Sequence, residues 1–304
     1  MTMIAILISL VIERTMESLR QYRSFAWFES YQQRLLGWLA QPFWQSPWGV
    51  LVIILPPVII TGWLDHGLSS LLLGLVSLLF NIAVLWYCIG PEDLDEQVDA
   101  YLAALEEDDH EKARVEAGRI IHGEVPSNLA DIQTRLGESI LVQANERVLA
   151  VIFWFVILGP MGAVLYRLTC YSARRSQLQN PEYLDAMQRL HNILAYVPAY
   201  LSALGYALAG SFDHAWHGWQ RYQETVPDDW QQRSEHLLVT VGMGALRLEP
   251  VDIESASETP EVERPALDQT ALHDHIKSVL ALVWRTLVIW VVLIALATLL
   301  GLSA

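Results

Sequence analysis

Residues 145–167 read NERVLAVIFWFVILGPMGAVLYR. Three polar residues, Asn145-Glu146-Arg147, lead into a charge-free block over 148–166, and Arg167 closes it. That block approaches the ~20 apolar residues that carry an α-helix across about 30 Å of hydrocarbon. Gly159-Pro160 interrupts it and Gly162 follows. Proline removes a backbone donor, so a broken or re-entrant helix is expected at this point. The stretch predicts an all-α, polytopic integral membrane protein.

Working outward, the pattern repeats. Residues 67–90 and 286–304 carry no charge, and 48–64 is apolar around Pro56-Pro57. The block 190–212 is charge-free but holds Asn192, Tyr196, Pro198, Tyr200 and Tyr206, so it spans, packs inside a bundle or lies in the interface. Residues 1–12 form a short apolar start that ends on Glu13-Arg14 and lacks the basic leader and cleavage site of a signal peptide. About four to six membrane helices are expected. Composition agrees: the 304 residues are 53% hydrophobic and 17% charged, against roughly 25% charged in soluble domains. Twelve Trp and eleven Tyr suit two membrane–water interfaces. A net charge of −15 leaves no basic stripe for nucleic acid. The lipid bilayer is the expected partner. Cys88 and Cys170 build neither a disulfide framework nor a zinc pattern.

Lys and Arg near the spans set orientation. Residues 14–47 hold Arg14, Arg20, Arg23 and Arg34, whereas the connection 63–67 holds none. The second and third helices therefore form a hairpin with Asp65-His66 at its outer tip. The organisation expected is as follows: membrane helices, about three, over 1–90, with an amphipathic segment at 14–47; an acidic helical cytoplasmic insert at 91–147; a membrane core with a Gly-Pro-interrupted helix at 148–212; a cytoplasmic aromatic helix and acidic linker at 213–279; and a C-terminal membrane helix at 280–304. If 148–166 crosses fully, Arg174, Arg175 and Arg189 fall outside, against the charge rule. A break at Gly159-Pro160 would remove that conflict.

Several clusters are tested as chemistry. Ten carboxylates lie within 92–111 before the first base, Lys112. They lack the Gly and spacing of a calcium loop and read as a solvated face. His214 and His217 share a helix face without a third strong ligand, and His273 and His275 flank Asp274 in a juxtamembrane turn. No metal site is expected and no cofactor is assigned. The informative residues are ionisable groups at membrane boundaries, which need partners or water. Glu13, Arg14, Asn145, Glu146, Arg147 and Arg167 could converge on the cytoplasmic mouth of one bundle. Gly159, Pro160 and Gly162 allow close helix approach there.

At these residues the chain resembles AmpE and its CobD/CbiB superfamily. The resemblance is carried by Glu13-Arg14, by residues 121–126 (Ile-His-Gly-Glu-Val-Pro), by Asn145-Glu146-Arg147 with Phe153-Trp154, by Gly159-Pro160-Met161-Gly162 through Tyr166-Arg167, and by Tyr196-Val197-Pro198-Ala199-Tyr200 followed by residues 206–210. It implies a bacterial inner-membrane protein in the control of β-lactamase induction, with a cell-wall recycling or regulatory partner protein. The ligand-binding candidates are Glu13, Arg14, Asn145, Glu146, Arg147, Gly159, Pro160, Gly162, Tyr166, Arg167 and Pro198; catalytic residues stay unassigned. The CbiB branch implies the alternative, a membrane synthetase that joins an aminopropanol unit to a corrinoid carboxylate. Two departures set the modulator first. Leu168 to Ser172 stand where that branch carries an Asn-Thr-x-Asp stretch, and Tyr200 stands where it carries an Arg. Arg174 and Arg175 could supply the missing charge if their loop folded over the crevice.

Overall fold

A computed structural model describes residues 2–15, 23–38, 47–70, 74–89, 94–121, 123, 125–126, 128–175, 181–227, 229–247 and 269–300. Its helices are α1 (Thr2–Thr15), α2 (Ala26–Trp38), α3 (Pro47–Leu68), α4 (Leu75–Cys88), α5 (Leu94–Glu106), α6 (His110–Ile120), α7 (Leu129–Ala144), α8 (Ala150–Leu158), α9 (Pro160–Arg175), α10 (Pro181–Ala209), α11 (Phe212–Glu224), α12 (Arg233–Ala245) and α13 (Gln269–Leu299). A π turn (Asn145–Leu149) joins α7 to α8, and a 3-10 turn (Trp230–Gln232) precedes α12. No strand occurs among the described residues. Of the stretch 213–279, where an acidic linker is expected, residues 248–268 lie outside them.

Among the described residues four stretches are long and apolar enough to cross a bilayer: Gly49–Leu68, Asp131–Leu158, Glu182–Ala209 and Asp274–Leu299. Leu75–Cys88 is a shorter apolar helix. Ile59, Ile60 and Trp63 on α3, and Val288, Val292, Leu293 and Leu296 on α13, expose their side chains. Contiguous apolar faces of this kind are covered by lipid rather than water. The protein is a polytopic helical membrane protein.

The break that Gly159-Pro160 allowed is present, and one candidate span, 67–90, is corrected. Residues 148–166 are not one helix. The helix through Asp131–Leu158 stops at Gly159, whose φ of 65° and ψ of −153° suit glycine almost alone. Pro160 opens α9, where its missing N–H costs nothing. The turn is tight: a Cβ on Gly162 would sit 2.2 Å from the Trp154 carbonyl oxygen, so α9 packs directly against α8. Residues 67–90 likewise do not form one span, because α3 continues to Leu68 and α4 begins at Leu75. Asp65 remains inside α3 because Ser77 Oγ and Asn81 Nδ2 donate to its Oδ1 at 2.9 and 2.8 Å. The hairpin tip lies after Leu68, not at 63–67.

The chain divides into two compact units. The first takes in Met1–Pro91, Glu146–Pro198 and Val291–Ala304. Here α9 packs against α3, α4 and α8, and α1 packs against α4. Val50, Ile53, Ile54 and Val58 recur at helical spacing on α3 and bury against Phe25, Phe28, Leu168, Tyr183 and Met187. Pro56 and Pro57 stay within α3, and Thr61 Oγ1 donates to the Pro57 carbonyl at 2.8 Å. The second unit takes in Glu92–Asn145 and Ala199–Trp290. There α5, α6 and α7 pack on one another, and Asp109 caps α6 by accepting from the Lys112 backbone N–H. Helix α11 lies on α12 through glycine: a Cβ on Gly218 would stand 2.4 Å from the Thr240 carbonyl oxygen.

Candidate functional site

The π turn falls on the polar triplet of the opening sequence. One extra residue per turn redirects side chains and leaves backbone groups less regularly paired, which is why such turns recur at working sites. Glu146 is turned inward and is only 4% exposed. An isolated carboxylate in that position would be untenable, so its partners define the site. Arg174, on the last turn of α9, donates to Glu146 Oε1 through Nη2 at 2.6 Å and Nε at 3.2 Å. His191, on α10, places Nε2 at 3.1 Å from the same oxygen. The carboxylate can only accept, so Nε2 is the donor of this bond and Nδ1 is the nitrogen left over. Nδ1 is buried and has no hydrogen-bond partner among the described residues. The ring lies 5.8 Å from that of Tyr166, whose hydroxyl is buried and likewise lacks a partner. A carboxylate thus orients an imidazole whose other nitrogen can accept a proton, with a guanidinium fixing the carboxylate from the rim.

Cys170 completes the surroundings. One potential ligand atom from each of Glu146, Cys170 and His191 lies within 4.8 Å of the others, and all three residues are buried. That donor set would suit zinc. However, Oε1 of Glu146 already accepts from Arg174, so a divalent ion would have to displace a guanidinium. The geometry favours a hydrogen-bonded charge network.

The other sequence candidates are distributed. Glu13 pairs with buried Arg23, which also donates to the Ile89 carbonyl at 2.8 Å and lies over the Trp86 ring. Arg14 is exposed on α1, and Arg147 is half-buried in the π turn. Asn145, in the second unit, accepts from Ser202 Oγ at 2.8 Å. Gly159, Pro160 and Gly162 make the α8–α9 turn, and Pro198 is buried within α10. Arg167 is buried on α9, its guanidinium 5.5 Å over the Phe25 ring. Tyr166 shares the Glu146 cluster; Glu13 has its own partner in Arg23. The sequence reading leaves out Arg174 and His191 as site residues. His191 had a signal, an ionisable ring in an otherwise apolar block. Arg174 acts from a helix, not from a folded-back loop.

The family model described as CobD/Cbib protein matches residues 2–229. A protein of Chromobacterium violaceum named cobalamin biosynthesis protein CobD is 29% identical over 272 residues, 86% of this chain and 84% of that protein. A protein of the same name from Stutzerimonas stutzeri is 27% identical over 259 residues, 77% of this chain and 82% of its own length. One from Brucella suis is 26% identical over 176 residues, about half of each chain. No solved structure gives a significant match. The matched relatives overturn the expectation of a modulator of β-lactamase induction, because they are named for cobalamin biosynthesis. That expectation rested on two absent groups, at Tyr200 and after Arg167. It allowed for Arg174 only from a folded-back loop, whereas the α8–α9 turn delivers it to Glu146 from a helix.

Proposed function

This chain belongs to the CobD/CbiB family, and from that premise we propose that it is a membrane amide-forming synthetase of cobalamin-type biosynthesis. The reaction class is the joining of an amino alcohol to a corrinoid carboxylate. The observation that carries the reading is the likeness to CobD-named relatives along most of the chain. The site chemistry supports it. An amine attacking a carboxyl that carries an activating leaving group must lose a proton as the C–N bond forms and the activating group departs with the electron pair of its bond to the acyl carbon. His191 Nδ1, with its ring oriented by Glu146, is suited to accept that proton. Arg174, which fixes Glu146 through two N–H donors, brings positive charge to the rim for anionic groups. Of the ligand-binding set proposed from sequence, Glu146 and Tyr166 are kept for this reaction, and Arg174 and His191 are added. The protein resides in the bacterial inner membrane, with 91–147 facing the cytoplasm.

The test is growth of a bacterial strain lacking its own corrinoid amide synthetase, supplied with the corrinoid precursor on cobalamin-dependent medium. The wild-type chain should restore growth. Glu146→Gln and His191→Gln should each abolish it at unchanged membrane abundance, whereas Arg189→Ala, at an exposed pair with Asp185, should not. Failure of the wild-type chain to support growth when present in the membrane would overturn the assignment.

A further inference from the structure

A second site lies in the first unit, apart from the Glu146 cluster. A cavity of about 420 Å³ is lined by Phe25, Phe80, Trp86, Val164 and Arg167 among others. Most of its polar wall groups are already satisfied. Trp27 Nε1 donates to Tyr87 Oη at 2.7 Å, Tyr87 Oη donates to the Ser24 carbonyl at 2.6 Å, and Thr61 Oγ1 donates to the Pro57 carbonyl. Two strong donors are not. Arg167 Nε and Trp86 Nε1 are buried and have no hydrogen-bond partner among the described residues. Arg167 is 7% exposed. Glu146, the nearby buried carboxylate, is taken by Arg174 and His191.

A buried cation without an acceptor is costly unless something pairs with it. Here a guanidinium on α9 and an indole N–H on α4 line one apolar space, and among the described residues neither has an acceptor. We propose that this cavity binds an anionic amphiphile, a molecule with one phosphate or carboxylate head on a small apolar body. The head accepts from Arg167 and Trp86, and the body packs against Phe25, Phe80 and Val164. A zwitterion is disfavoured, because among the described residues no carboxylate lines the cavity to pair with an ammonium. The volume falls at the lower end of the roughly 300–1,000 Å³ of small-molecule sites, so it takes a small ligand or one arm of a larger one. A membrane lipid and a soluble metabolite share this chemistry, and the site stands independently of amide formation.

The test uses the full chain purified in detergent and titrated with n-hexyl phosphate, n-hexanol and inorganic phosphate, read by tryptophan fluorescence and calorimetry. Hexyl phosphate should bind at least tenfold more tightly than either of the other two. Arg167→Gln should weaken it tenfold or more, and Trp86→Phe by a smaller factor. Val164→Trp, which fills the cavity and leaves both donors in place, should abolish it. Protein reconstituted in phosphatidylcholine nanodiscs with added phosphatidic acid separates the sources. Loss of hexyl phosphate binding there identifies a lipid, and its retention identifies a soluble ligand; either supports the site. No binding to the wild-type chain, or equal binding to Arg167→Gln that elutes and melts as wild type, would overturn it. Cobalamin-dependent growth is scored separately, so failure of one reading leaves the other standing.

Discussion

Glu146 shows how one residue type in one place forces a local solution. Its charge sits in a helix long enough to cross a bilayer, and burying it without partners would cost several kcal/mol. The pair with Arg174 is asymmetric: the Glu146 side chain is 6% exposed and that of Arg174 is 27% exposed. Arg174 can turn toward water when its partner is lost, whereas Glu146 cannot. Arg174→Gln should therefore destabilise more than Glu146→Gln, with about 3–5 kcal/mol expected for the former and less for the latter. Thermal unfolding in detergent measures both, and the double variant should recover part of the larger loss. An unfolding temperature for Arg174→Gln at or above that of Glu146→Gln would contradict this asymmetry. The sequence marked Glu146 as a charge at a membrane boundary. Its partners were not legible, because they lie 28 and 45 residues away and meet it only through the fold.

At the scale of the element, the α8–α9 turn governs the site. Gly159 and Gly162 are three residues apart and are needed for different reasons. Gly159 has an unusual backbone conformation with open space around its Cα, so Gly159→Ala incurs backbone strain alone, about 1–3 kcal/mol. A Cβ on Gly162 would collide with the backbone of Trp154 and with Leu158 Cβ at 2.7 Å, and backbone cannot rotate away as a side chain can. Gly162→Ala should thus separate α9 from α8 and pull Arg174 from Glu146. The expected order of membrane abundance and of unfolding temperature is wild type, then Gly159→Ala, then Gly162→Ala. Equal behaviour of the two variants would count against the close packing. The break itself was legible from Gly159-Pro160, since that dipeptide punctuates any helix. The hairpin between α3 and α4 was misplaced, because Asp65 reads as a loop residue until Ser77 and Asn81 are seen to satisfy it.

For the whole molecule, hydropathy fixed the class and could not fix the branch of the superfamily. Apolar blocks in the same order serve either function; only local side chains differ. Tyr200 illustrates the difficulty. It was weighed as a lost guanidinium, yet its hydroxyl lies 3.2 Å from that of Tyr222 and its ring 5.7 Å from that of Trp219, an aromatic contact within the second unit. A missing charge at one position says little when cations elsewhere in the chain, such as Arg174, can be recruited by folding. Sidedness is a further whole-chain property, and it rests on charge alone. Arg14, Arg20, Arg23 and Arg34 precede α3, while the α3–α4 connection, 69–74, carries no Lys or Arg. Arg23 is paired with Glu13, but the rule counts Lys and Arg rather than net charge, so the bias stands. The proposed topology therefore places Ser69 outside and the α5–α6 helices inside. Ser69 and Glu111 are both exposed to solvent or lipid headgroups, which makes them suitable reporters. In a background with Cys88→Ala and Cys170→Ala, an impermeant maleimide should label Ser69→Cys in spheroplasts. It should reach Glu111→Cys only after the membrane is opened. Labelling of Glu111→Cys in intact spheroplasts, with Ser69→Cys protected, would invert the protein and put His191 and Arg174 to a different set of substrates.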